Sequence, residues 1–184
     1  MVHPDAIPRI LLDAARLIGQ GELVVFGSAA LAFWLDDPPS TRDVDLWCDP
    51  PERGHAVEAL MGELSWYHER HQAYVEVWAP ETFAAPEDWR ARARQLTEAS
   101  VPAVRLVVPH PHDVLFAKLE RWEEADRDHA VRILAAFPLC ADRAAALDAR
   151  MPHRDGRIAD PHRQAAYAAH FRRLCAMLPP EAPG

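Results

Sequence analysis

The sequence predicts an α+β fold: a small mixed sheet flanked by helices over residues 1–110, and a helical region over residues 111–184 packed on that core. Two observations carry this expectation. The front of the chain alternates short apolar runs with stretches of helical period, and from Asp113 onward the apolar residues recur at helical spacing alone.

Residues 5–18, "DAIPRILLDAARLI", place Ile7, Ile10, Leu11, Ala14, Leu17 and Ile18 on one helical face, and Gly19 and Gly21 end the pattern. "ELVVFG" reads as a short buried strand running into a glycine. "SAALAFWL" reads as a brief helix, with Ser28 able to cap it and Ala29, Ala30 and Leu31 favouring it. After the loop "DDPPSTR", "DVDLWC" is a second strand. "DPPERGHAVEALMGEL" is then a helix with proline near its start and a stripe of Val57, Leu60, Met61 and Leu64. "AYVEVWAP" is a third strand and "AVRLVVP" a fourth, while "RARARQL" between them suits either an edge strand or a helix. Helices are expected at roughly 113–125, 127–136, 140–150 and 160–177, with "MPHRDGRIADPH" as a loop and "PPEAPG" as a frayed tail.

With 184 residues, 49% of them hydrophobic, the chain can bury a core of its own. No apolar run approaches the roughly 20 residues of a membrane span, and "MVHPDAIPRI" lacks the features of a signal peptide, so a cytoplasmic protein is expected. Three scattered cysteines argue against a disulfide framework or a zinc site. The net charge of −8 is uneven: residues 1–88 carry 16 acids against 5 arginines, and the remainder is slightly basic. Such a chain is a poor nonspecific nucleic-acid binder, yet an acidic pocket beside a basic tail can hold a metal–phosphate substrate.

The stretch "TRDVDLW" concentrates the chemistry. On a strand, Asp43, Asp45 and Trp47 share one side and Val44, Leu46 and Cys48 the other, with the two carboxylates about 6–7 Å apart at Cα. Two such charges repel and resist desolvation unless a cation or an arginine compensates them, or unless the strand is an exposed edge where both are solvated. Magnesium suits the first case, because it takes few hard oxygen ligands and leaves positions for water and phosphate. Upstream, "VVFGSAAL" gives a strand, a Gly27-Ser28 turn and a helix start, where the backbone can approach a phosphate.

The composite of strand, Gly-Ser, short helix and D-x-D strand resembles the nucleotidyltransferase fold of the DNA polymerase β type. Within it, "FGSAALAFWL…STRDVDLW" is similar to the minimal, abortive-infection-type bacterial nucleotidyltransferases, a group containing toxins of toxin–antitoxin pairs. The resemblance covers roughly residues 20–135. It implies a third carboxylate on a later strand, which "AYVEVW" supplies as Glu76 where aspartate is usual; a half-buried surface residue is the other reading of Glu76. It also implies a lysine in a segment of the form Pro-x-Asp-Leu-x-x-x-Lys, matched by "PHDVLFAK", and an Arg-Asp farther on, matched at Arg127 and Asp128. The further acid frequent there is replaced by Val131, and a helical salt-bridge role is expected for Arg127 and Asp128.

Lys118 has independent support. Of 20 basic residues it is the only lysine, in a composition that otherwise uses arginine for every generic positive charge. A site needing one compact ammonium against a phosphate would resist that replacement. The implied activity is transfer of a nucleoside monophosphate from a nucleoside triphosphate such as ATP to a hydroxyl acceptor, either a tRNA 3′ end or a protein. Asp43, Asp45 and Glu76 would hold Mg²⁺, Gly27 and Ser28 would cradle phosphates, and Lys118 with Arg42 would offset charge on the leaving pyrophosphate. A cognate antitoxin is an implied partner. The alternatives are an inactive nucleotidyltransferase-like binding or regulatory module, and a Mg²⁺-dependent phosphohydrolase. The histidines match no ligand spacing and are expected in solvent or capping roles. The arginines of the tail are expected on solvated helix faces, and Trp34, Trp66 and Trp122 in the core.

Overall fold

The computed structural model describes residues 1–96 and 101–179, which fall into two compact units. The first comprises residues 1–83 and 93–110 and contains the sheet; the second comprises residues 84–92 and those from 111 on. The tail from residue 180 lies outside the described residues.

In the first unit, α1 (Ile7–Ile18) buries Ile7, Ile10, Leu11, Ala14 and Ile18, as the 3.6-residue period requires. It stops at Gly19, whose φ of 71° is open to a residue without Cβ. β1 (Gly21–Val25) follows, with Leu23, Val24 and Val25 all buried, the pattern of a central strand covered on both faces. β2 (Val44–Asp49) pairs antiparallel with β1. Next come α2 (Gly54–Met61), α3 (Trp66–His71) and β3 (Val75–Val77), then β4 (Arg94–Leu96) and β5 (Val104–Val108). The sheet order is β3-β2-β1-β5-β4, with β1–β5 and β2–β3 parallel and β4–β5 antiparallel. "RARARQL" thus ends as an edge strand.

The connection from β1 to β2 departs from expectation. Ala29–Phe33 is a 3-10 helix to which the Ser28 side chain makes no capping hydrogen bond; the Ser28 carbonyl accepts the Leu31 amide at 3.1 Å. A reciprocal backbone bridge between Val2 and Thr41 anchors the return into β2.

α2 packs on β3 and on α1, and Gly54 is the reason it comes so close: a Cβ there would stand 2.7 Å from the Val77 side chain. Only Val57 and Met61 of the expected stripe are buried. Leu60, inside α2, is 56% exposed; Leu64 is 85% exposed, because α2 ends at Met61 and Leu64 then adopts a left-handed φ of 64°. Trp66 is likewise exposed on α3, whereas Trp122 is buried.

The second unit is helical: α4 (Pro111–Lys118), α5 (Glu124–Ala136), α6 (Ala141–Asp148), α7 (Pro152–Asp155) and α8 (Pro161–Cys175). Leu115, Phe116, Leu119, Ile133 and Tyr167 are fully buried. α5 begins with a capping box between Glu123 and Asp126, and Asp160 caps α8 by accepting from the His162 and Arg163 amides. His112, His129 and His153 are buried, contrary to the solvent or capping roles expected; the His112 ring meets the Phe137 carbonyl at 2.9 Å. No helix among the described residues is long and apolar enough to cross a membrane.

Candidate functional site

The site is built at the end of β1. The Phe26 amide donates to the Asp45 carbonyl at 3.0 Å, which extends the β1–β2 pairing by one bond and holds the following turn against Asp45. Gly27 then takes φ 61°, and a Cβ on it would overlap the Asp45 carboxylate. Glycine is needed here twice over, for the left-handed backbone and for the space. Gly27→Ala is therefore expected to cost about 1–2 kcal/mol in backbone strain and to displace the Asp45 side chain. Urea unfolding together with the transfer assay described below checks this; a variant as stable and active as the parent would show the close approach to be incidental.

Asp43 lies one residue before β2 and Asp45 within it, both half-buried, while Val44, Leu46 and Cys48 are buried. Trp47 is buried too, at 7% exposure, and separates the half-buried Asp43–Asp45 pair from exposed Asp49 at the other end of the same side. Each carboxylate has an aromatic partner from the neighbouring strand's segment. The Trp78 Nε1–H donates to Asp45 Oδ1 at 3.0 Å, and the Tyr74 hydroxyl lies 3.5 Å from Asp43 Oδ2. Arg42, exposed, also hydrogen-bonds Tyr74. Glu76 stands beside Asp45 in the β2–β3 register. Burial raises the Glu76 pKa, and the Asp43 and Glu63 charges raise it further against the opposing pull of Arg42.

The tertiary structure thus brings Gly27, Asp43, Asp45, Glu76 and Arg42 together, with Ser28 at the start of the adjoining 3-10 helix. Among the described residues no three histidine, cysteine or acidic side chains are grouped so as to hold a metal ion. Glu76 is near enough to feel Asp43 without forming a ready-made three-carboxylate ligand shell. Mg²⁺ needs only one or two protein carboxylates when phosphate and water complete its octahedron. The half-buried oxygen donors Asp43 and Asp45 fit that ion by their chemistry. Tyr74 and Trp78 belong to the site as well. Their flanking of Glu76 in "AYVEVW" was visible in the sequence, but their reach across to β2 was not.

Beside Glu76 lies a cavity of about 410 Å³ whose lining includes Glu58, Glu63, Val75, Glu76, Val77 and Trp78.

Lys118 closes α4 in the second unit, only 9% exposed. Its Nζ donates to Asp126 Oδ1 at 2.8 Å, and Asp126, fully buried, also accepts from Arg121 and from the Glu123 amide. The lysine's partner is thus Asp126, the capping residue of α5, one position before the Arg127-Asp128 pair read from the sequence. Burial alone would raise the Asp126 carboxyl; the Arg121 hydrogen bond and the Lys118 charge outweigh it and hold the pKa at about 2. For His129, burial first and the Lys118 charge second push the pKa down to about 4.

These shifts fix the sign of an acid effect. His129 binds its proton near 6.5 when unfolded but near 4 when folded, so stability is lost as the pH falls from about 6.5 to 4. Asp126 adds a second loss as the pH falls from about 4 towards 2. Buried Asp113, whose carboxyl is pushed up to about 6, gains stability as the pH falls through the same range, so the His129 share is read by difference: the change in urea midpoint between pH 7 and pH 5 is expected to be less destabilising in His129→Gln than in the parent. Equal changes in the two proteins would show that His129 contributes nothing to the acid effect.

Residues 7–133, more than half of the chain, match the family described as "Nucleotidyltransferase of unknown function (DUF6036)". No curated protein and no solved structure matches the chain.

Proposed function

The chain belongs to the DUF6036 family of nucleotidyltransferases, and from that premise we propose that it transfers a nucleoside monophosphate from a nucleoside triphosphate to a hydroxyl acceptor, with Mg²⁺ as cofactor. One observation carries this reading: the Asp45 carboxylate sits directly against the Gly27 turn, with Asp43 at its side, so a phosphate approaching the turn meets the paired acids.

Asp43 and Asp45 are the residues that would hold Mg²⁺, which when bound supplies charge neutralisation on the phosphates. Gly27, lacking a side chain, lets the Asp45 carboxylate sit against the turn that a phosphate would approach. The acceptor oxygen attacks the α-phosphorus; the bond from that phosphorus to the bridging oxygen breaks, and pyrophosphate leaves with the electron pair. The acceptor's proton passes to the Glu76 carboxylate and then to solvent. A carboxylate with raised proton affinity is the better base for that step. Arg42, beside Asp43 and Tyr74, offsets charge on the outer phosphates. Lys118 is assigned to the leaving pyrophosphate on sequence grounds, and that role requires it to release Asp126.

The resemblance of residues 26–47 to abortive-infection-type enzymes supports extending this proposal to a cytoplasmic role as the toxin of a toxin–antitoxin pair. A tRNA 3′ end or a protein is then the acceptor and an antitoxin the partner. A second reading, a nucleotide-binding module without turnover, is favoured by glutamate at the third acidic position and by Val131 where a further acid is frequent.

Incubation with each labelled nucleoside triphosphate, Mg²⁺, total tRNA and lysate tests the proposal. Labelled macromolecule with released pyrophosphate is the expected result. Triphosphate binding without release would establish the module, and free monophosphate alone a hydrolase.

A further inference from the structure

Tyr74, Glu76 and Trp78 stand at alternate positions along β3 and its flanks, and the two aromatic residues each offer a donor to one of the paired acids. The contact treats the two oxygens of Asp45 differently. The Trp78 indole N–H donates to Oδ1 at 3.0 Å, whereas Oδ2 is the oxygen that lies against Gly27. At Asp43 the Tyr74 hydroxyl lies 3.5 Å from Oδ2. An indole N–H can only donate. Burial first, and the Asp43 charge second, raise the pKa of Tyr74, so its hydroxyl keeps its proton and remains a donor too.

A donor on one carboxylate oxygen fixes the rotation of the group and leaves the other oxygen to act as a ligand. That bears on which cation the pair accepts. Mg²⁺ demands a near-ideal octahedron at about 2.0–2.1 Å and takes a single oxygen from a carboxylate. Ca²⁺ is larger, takes up to about eight oxygens, sheds water more readily and gains from carboxylates that give it both oxygens. Two aspartates free to rotate would serve Ca²⁺ well. With Asp45 Oδ1 and Asp43 Oδ2 each turned to a donor of the β3 segment, the same two residues suit the smaller ion.

We propose that Trp78, assisted by Tyr74, is a positioning residue that sets the ion preference of the site: by holding one oxygen of each aspartate it makes the Asp43–Asp45 pair select Mg²⁺ over Ca²⁺. The inference rests on the reading that this pair holds a divalent cation, and adds to it a role for two side chains that touch neither the cation nor the reacting atoms.

The test measures metal binding by the full chain without nucleotide, so it does not depend on turnover. Mn²⁺ is followed by electron paramagnetic resonance, the portion of binding lost in Asp45→Asn is assigned to the pair, and Mg²⁺ and Ca²⁺ are titrated as competitors. In the parent, Mg²⁺ is expected to displace that Mn²⁺ at a lower concentration than Ca²⁺ does. Trp78→Phe keeps an aromatic side chain and removes the donor; it should move the ratio of the two competition constants towards Ca²⁺ by about ten-fold, the low end for a group that orients a metal ligand, because Trp78 is 43% exposed and water takes up part of the lost bond. Tyr74→Phe removes only a hydroxyl and should move the ratio the same way by less, since its contact is longer. A merely structural role for Trp78 would weaken both ions alike and leave the ratio unmoved, which would overturn this inference while the cation site stands. Mn²⁺ binding undiminished in Asp45→Asn would instead overturn the cation site, and this inference with it. Ca²⁺ as the better competitor in the parent would also overturn the inference, and that comparison decides the matter even if a variant misfolds.

Discussion

Asp45→Asn is expected to lower nucleotidyl transfer by about 1,000-fold while leaving the unfolding midpoint essentially unchanged. Asparagine has the shape of aspartate, so it fits against Gly27, and its amide oxygen can still accept from Trp78 Nε1. What it removes is the charge. If the pair Asp43 and Asp45 exists to hold a cation on a triphosphate, one neutral member disables it without disturbing the β1–β2 pairing. Asp43→Asn should behave similarly, with a smaller structural footprint because Tyr74 lies at 3.5 Å. Single-turnover transfer with labelled triphosphate and a parallel urea titration are the measurements. Full turnover in the Asp45→Asn protein would remove the basis of the proposed reaction.

Asp126→Ala is expected to destabilise the protein by about 3–5 kcal/mol, the largest loss of stability among the substitutions considered. The change removes the carboxylate paired with the Lys118 ammonium where that side chain is 8% exposed, takes an acceptor from Arg121, and opens the capping box of α5. Lys118→Met should cost less, because Asp126 retains Arg121 and the Glu123 amide. The comparison also separates two roles of the lysine. A purely structural Lys118 predicts that activity per folded molecule survives Lys118→Met. A lysine that also meets the leaving pyrophosphate predicts a fall in kcat well beyond the folded fraction lost. Denaturant titration and active-site-normalised rates decide between them, and a neutral Asp126→Ala would show that the buried ion pair carries no net stability.

Much of this architecture was legible from local pattern. The apolar period of residues 7–18, the continuous apolar run of β1 and the glycine after Phe26 are short-range signals, and each survives as expected. The acid pair was legible because a two-residue alternation puts Asp43 and Asp45 on one side of a strand whatever surrounds it. Exposure was harder to read. Leu60, Leu64 and Trp66 look like core residues by type, yet Leu60 lies on the exposed face of α2, Leu64 lies past its end and Trp66 is exposed on α3. That Lys118 meets Asp126 was not legible, since both Asp126 and Asp128 fall near the start of α5 and only the capping geometry turns Asp126 inward.

The amino-acid sequence by itself determined β1, β2, β3, β5 and most of the longer helices in their order, and it singled out Gly27, the aspartate pair and the lone lysine, because conformational preference and side-chain alternation act over a few residues. Only the tertiary structure decided that Trp78 grips Asp45 from 33 residues away, that Glu76 lies next to that same aspartate, and that β3 is left as an edge beside an acidic cavity. Those facts depend on strand order and register, which arise from burying the whole sheet at once and leave no mark in any short window of the chain.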